Sequence, residues 1–149
     1  MKQNEGEGNS EVRMNDRSFD GAHVDLTKRI IGCAYTVHSA LGPGFVEAIY
    51  ENALAVEFER QDICFQRQLE VDVRYAGKSV GLHRLDVLVE GKVIVELKAK
   101  DAFSESDIAS VLSYLKATDL QIALLLNFGT PMLKVKRLGN ADRTPVASV

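Results

Sequence analysis

The sequence predicts an α/β domain whose elements run α-α-β-β-β-α-β-β. Three observations carry that expectation. Apolar residues recur at three- and four-residue steps early in the chain and again after Ser104, the spacing of helices that bury one face. Residues 84–100 read as two valine-rich strands around Glu90-Gly91-Lys92, a β-hairpin. Residues 121–128 are almost wholly apolar, as in a strand covered on both faces of a sheet.

In order, residues 1–21 hold Gly, Ser, Asn and mixed charge with few apolar side chains, too little to offset the entropy of ordering. They are expected as a disordered, slightly acidic tail, with one domain over 22–138 and a frayed end over 139–149. Leu26, Ile30, Ala34, Val37 and Leu41 mark a helix from Val24 to Leu41, ended by Gly42 and Pro43. A second helix is expected over about 44–61, burying Ile49, Ala53 and Val56 with Leu54 and Phe58. Phe65, Leu69, Val71 and Val73 suggest a strand that turns near Ala76-Gly77-Lys78. Ser104-Glu105-Ser106-Asp107 resembles a capping box opening a helix that ends near Lys116. After the buried strand, residues 132–138 form a last strand bearing Lys134, Lys136 and Arg137, the densest basic cluster, which also suits an edge strand protected by lysines.

A chain of 149 residues with 46% hydrophobic and 26% charged residues suits one globular domain. Its net charge of −3 lacks the strongly basic footprint of many nucleic-acid binders, so such binding needs a local patch. Cys33 and Cys64 form no Cys-x-x-Cys pair and the histidines do not cluster, which argues against a zinc site or a disulfide framework. Both cysteines read as small buried residues, and His38 as a structural group near a helix C-terminus. With no signal segment and no apolar run long enough for a bilayer, a soluble cytoplasmic protein without membrane contact is expected.

The hairpin concentrates the chemistry. Its odd positions Leu85, Val87, Val89, Val93, Val95, Leu97 and Ala99 make one apolar face, while the even positions carry Arg84, Asp86, Glu90, Lys92, Glu96, Lys98 and Lys100. A three-residue loop centred on Gly91 sets Leu88 opposite Ile94 and Asp86 opposite Glu96. Opposed carboxylates are unfavourable unless positive charge lies between them, and Lys98 points to the same side. A hard divalent cation such as Mg²⁺ uses one or two carboxylates plus substrate phosphates, so a metal site with an adjacent ammonium is expected. Taken alone, Glu96-Leu97-Lys98 also fits a solvated strand face with cross-strand pairs.

This order of elements, with a carboxylate pair and a lysine on the hairpin, resembles the PD-(D/E)XK nuclease superfamily, a restriction-endonuclease-like core. More closely, Gly44-Phe45-Val46-Glu47-Ala48-Ile49-Tyr50, Arg84-Leu85-Asp86, Val93-Ile94-Val95-Glu96-Leu97-Lys98 and Leu124-Leu125-Leu126-Asn127-Phe128-Gly129 are similar to the GxxExxY protein family. The resemblance implies a central mixed β-sheet flanked by helices. It also implies that Asp86 and Glu96 bind Mg²⁺, with Mn²⁺ able to substitute, and that the Leu97 carbonyl supplies a third oxygen. Lys98 would be the catalytic ammonium. Glu47 would be a further catalytic carboxylate, on the metal directly or through water, although its place in a helix first turn also suits a dipole role. Tyr50 would help position substrate or pack behind Glu47. Relatives commonly carry Gln-x-x-x-Tyr on the following helix, where this chain has Ser110 and Tyr114; serine has no amide to offer. Ser110, Tyr114, Lys134 and Lys136 complete the expected substrate-positioning set.

The expected function is Mg²⁺-dependent hydrolysis of a DNA or RNA phosphodiester, with a homodimer as a natural way for a small positive surface to grip a duplex. The competing expectation is a non-catalytic nucleic-acid- or protein-binding module on the same fold.

Overall fold

The computed structural model describes residues 23–139, so the tail expected over 1–21 and all but Gly139 of the tail expected over 139–149 lie outside the described residues. Helix α1 spans Val24–Leu41 and buries Ile30, Cys33, Ala34 and Val37 at the expected helical steps. It ends at Gly42, whose φ of 70° few other residues adopt and whose N–H donates to the His38 carbonyl at 2.8 Å.

Helix α2 spans Glu47–Arg60, starting three residues later than expected. Phe45 and Tyr50 meet edge to face across its first turn, a hydrophobic staple that fixes where the helix begins. The buried row is Tyr50, Leu54 and Phe58, joined by Glu51 and Ala55. Ile49 and Val56, expected inside, are 41% and 53% exposed. Apolar residues occur all around this helix, so its sequence defines no single face, and packing against α1 and the sheet selects the Tyr50 row.

Strands β1 (Phe65–Tyr75), β2 (Lys78–Val89), β3 (Val93–Lys98), β4 (Ile122–Asn127) and β5 (Lys134–Gly139) form one sheet in sequence order. All neighbours are antiparallel except β3 and β4, which are parallel and joined through helix α3 (Glu105–Thr118), since parallel strands require a crossover. The expected α-α-β-β-β-α-β-β order and the central mixed sheet are observed. Gly139, expected to be frayed, closes β5 opposite Ile122. Ser104 and Asp107 form the expected capping box.

The sheet is buried on both faces. One core joins Val87, Val89, Val93, Val95, Leu97, Leu124, Leu126 and Phe128 to α1 and α2. The other joins Leu88, Ile94, Ala123, Leu125 and Leu138 to Val111 and Leu115 of α3. Leu85, expected on the Val87 face, belongs to the α3 side instead, as do Leu69 and Val71 of β1. The exchange of faces occurs where Gln68 takes a left-handed φ of 51°, between the Arg67–Val87 and Leu69–Leu85 pairs. Asp86 sits at that irregularity. Among the described residues no helix is long and apolar enough to cross a membrane.

Candidate active site

The β2–β3 ladder pairs Val89 with Val93, Leu88 with Ile94 and Val87 with Val95, the register expected from a turn centred on Gly91. Past that point the strands part, while β3 continues alongside β4 through Leu97–Leu126 and Lys98–Asn127. Backbone groups facing the gap need new partners, and the two carboxylates supply them. The Leu97 N–H donates to Asp86 Oδ2 at 2.9 Å, and the Asp86 N–H donates to Glu96 Oε1 at 3.4 Å. Asp86 and Glu96 are thus brought together, through reciprocal side-chain-to-backbone bonds in place of a ladder pair. Because N–H and C=O of one strand residue point to the same side, the Leu97 carbonyl also faces the gap.

Glu96 is 7% exposed. Burial, followed by the negative charge of Asp86, pushes its carboxyl up to about 8. Burial also raises Asp86, against the Leu97 hydrogen bond, and Glu51 and Glu47 on α2 add to the rise. Lys98 acts in the opposite sense on both. This is a region short of positive charge and lined with hard oxygen donors. Among the described residues no three or more His, Cys, Asp or Glu side chains gather as a metal cage, so Glu47 does not join the pair as a direct neighbour. Two carboxylates and a carbonyl suit a cation that keeps waters and takes substrate phosphate oxygens, as Mg²⁺ does, and do not suit structural zinc.

The exit of β3 is clamped by β4. Asn127, fully buried, accepts from the Lys100 N–H at 3.0 Å and donates to the Lys100 carbonyl at 2.9 Å, while the Gly129 N–H donates to its Oδ1 at 3.0 Å. A Cβ at Gly129 would stand 2.4 Å from the Lys100 nitrogen. The Asn127-Phe128-Gly129 run therefore fixes where Lys98 and Lys100 leave the sheet. Lys98 Nζ lies 3.7 Å from Asp107 Oδ1 and Lys100 Nζ 2.8 Å from Asp107 Oδ2, at the start of α3.

Around this centre the other expected residues divide. Glu47 is exposed at the start of α2, within electrostatic reach of Asp86. Tyr50, expected at the substrate, is fully buried and stacked on Phe128; its hydroxyl donates to the Gly42 carbonyl and accepts from the Phe45 N–H. Its hydroxyl thus holds the α1–α2 loop. Tyr114 lies on the sheet side of α3, where burial and then the Glu96 and Asp86 charges raise its phenol. Ser110 is exposed one turn earlier. Lys134 pairs with Asn127 and Lys136 with Leu125, placing both on the Glu96 face about 10 Å away, two strands across. Both are exposed there.

Glu51 was not legible in advance. It lies one helical turn after Glu47, is 9% exposed, and accepts from Arg67 Nε and Gln68 Nε2, each at 2.9 Å. It acts on Asp86 ahead of Glu47. The available signal was the four-residue spacing of two glutamates on a helix beginning beside the site.

A family model of the PD-(D/E)XK nuclease superfamily matches residues 24–138, from the first residue of α1 to the penultimate residue of β5. The chain belongs to that superfamily. Comparison with curated proteins and with solved structures finds no significant match. The five-stranded mixed sheet and three helices are the restriction-endonuclease-like fold of PD-(D/E)XK nucleases. The nucleases of this superfamily generally use divalent metals on nucleic-acid substrates.

Proposed function

We propose that this domain is a Mg²⁺-dependent nuclease that hydrolyses a phosphodiester of DNA or RNA, with Mn²⁺ able to replace Mg²⁺, and that within the superfamily it groups with GxxExxY proteins through Gly44, Glu47 and Tyr50. The observation that carries the reading is the Asp86–Glu96 pair at the parting of β2 and β3, with Lys98 two residues on. Asp86, Glu96 and the Leu97 carbonyl would hold the ion, and Glu47 would reach it through water. When bound, the ion offsets charge on the phosphodiester and acidifies a water. Lys98 stabilises the negative charge that builds as the phosphate is attacked. Tyr114, Ser110, Lys134 and Lys136 would orient the strand carrying that phosphate. Two copies together would present a longer basic surface to a duplex.

A non-catalytic binding module is the second reading, favoured by Ser110 in place of the amide of Gln-x-x-x-Tyr and by the net charge of −3. One experiment separates them. Mg²⁺ and Mn²⁺ are titrated calorimetrically into wild type and Asp86→Ala, and the samples are incubated with labelled single- and double-stranded DNA and RNA. The nuclease reading expects metal binding lost in the variant and metal-dependent cleavage by wild type. Binding without cleavage of any of the four substrates selects the module, and absence of metal binding by wild type defeats the enzyme reading.

A further inference from the structure

Asp107 is a carboxylate that the proposed chemistry does not use, yet it is 6% exposed and surrounded by charge. Its Oδ2 accepts from Lys100 Nζ at 2.8 Å and from the Ser104 N–H at 2.8 Å, and its Oδ1 lies 3.7 Å from Lys98 Nζ. Its own N–H donates to Ser104 Oγ at 3.0 Å. Burial works to raise its carboxyl, but the bonds from Lys100 and Ser104 outweigh it and hold the group at about 2, so it is ionised at any working pH. Lys98, which acts on both Asp86 and Glu96, thus stands between an ionised single carboxylate on α3 and a carboxylate pair on the sheet.

Resting on the nuclease reading above, we propose that Asp107 is the positioning residue of Lys98: it draws the ammonium toward α3, leaving the Asp86–Glu96 pair free to take the metal ion. Without Asp107 the carboxylates on which Lys98 still acts are those of the pair itself. The ammonium then competes with the incoming cation and leaves the position from which it serves the phosphate. The Asp107 carboxylate also takes part in the helix cap, but through Oδ2, which accepts from the Ser104 N–H, whereas Lys98 lies by Oδ1.

The test measures Mg²⁺ affinity by calorimetry, which does not depend on turnover. Asp107→Asn should bind Mg²⁺ about tenfold more weakly, in the range seen when partners of metal-site residues are removed, and should lower kcat with KM for nucleic acid unchanged. In a Lys98→Met background the same Asp107→Asn change should leave Mg²⁺ affinity unaltered, because the competing ammonium is gone. Ser104→Ala, which weakens the cap and keeps both lysine contacts, should lower the melting temperature and leave Mg²⁺ affinity as in wild type. Wild-type affinity in Asp107→Asn overturns the proposal. So does a weakening that persists with Lys98→Met, or one that Ser104→Ala reproduces. Wild type that binds no Mg²⁺ overturns the nuclease reading and this proposal with it, whereas a wild type that binds and an unaffected Asp107→Asn overturns the positioning role alone.

Discussion

At Asp107 one buried carboxylate meets two ammonium groups, whereas at the other site buried Glu96 and half-buried Asp86 meet each other with one ammonium nearby. The ionising group is the same, and Asp107 and Glu96 are about equally buried. The consequences are opposite: Asp107 is held at about 2, and Glu96 is pushed up to about 8. A carboxylate surrounded by cations is a structural fixture. A carboxylate pair whose charge is left uncompensated is poised to take a proton or a cation, and such unresolved charge marks a functional site.

The largest effect is expected from breaking the pair or its ammonium. Lys98→Met should lower kcat by about 10²–10³-fold, the loss seen when one group aimed at developing charge is removed. Asp86→Asn keeps an oxygen for the Leu97 N–H but halves the pair, and should cost at least as much while leaving a folded protein. Single-turnover cleavage at saturating Mg²⁺ checks both. Equal activity of Lys98→Met and wild type would remove the lysine from the mechanism.

The geometry that separates the two carboxylate sites depends on the β3 exit staying where Asn127 and Gly129 hold it. Gly129→Ala places a methyl 2.4 Å from the Lys100 nitrogen and 2.6 Å from its carbonyl oxygen, backbone atoms that cannot rotate away. A destabilisation of about 1–3 kcal/mol is expected from such overpacking, read as a lower midpoint in urea. An unchanged midpoint would mean that the strand exit shifts freely and that the Lys98 position is not fixed by β4.

Part of this was readable in the sequence because it rests on local rules. Strand alternation and a short turn at Gly91 give the ladder from Val89–Val93 to Val87–Val95 that leads up to Asp86 and Glu96, and helical spacing with Gly42 and Pro43 marks α1. What was not readable depends on residues distant in the chain. Glu51 is buried because Arg67 and Gln68 arrive from β1, and Leu85 changes faces because Gln68 turns left-handed opposite Asp86. The inward row of α2 is chosen by α1 and the sheet, and the Lys98–Asp107 contact exists only once α3 has crossed over. The Ser104-x-x-Asp107 cap was visible, but its second role toward the lysines was not.

Acid and base should expose the contrast in a thermal scan of metal-free protein. Glu96 has a folded value raised from 4.5 to about 8, so its contribution is complete below about 4.5 and is lost as the pH rises toward 8. Asp107 has a folded value lowered from 3.8 to about 2, so its contribution is complete above about 4 and is lost as the pH falls through 2. The melting temperature should therefore decline by several degrees on the alkaline side, and Glu96→Gln should flatten that limb alone. Saturating Mg²⁺ should also flatten it, since the ion supplies the missing charge. A metal-free melting temperature that is level from pH 5 to pH 8 would show that Glu96 titrates as an ordinary surface carboxylate.

The smallest effect tests whether distance or burial makes Asp107 strong. Arg84 Nη2 lies 2.9 Å from Glu70 Oε2, nearly the Lys100–Asp107 separation, but its side chains are 61% and 52% exposed against 40% and 7%. Water screens the outer pair and ordering two long side chains costs entropy, so Arg84→Ala should change stability by no more than about 1 kcal/mol. Lys100→Ala, which strips a buried carboxylate of its closest cation, should cost more at the same nominal distance. If urea denaturation gave equal losses for the two, burial would not be the source of the difference, and Asp107 would be an ordinary surface partner whose hold on Lys98 is too weak to keep the ammonium from the metal site.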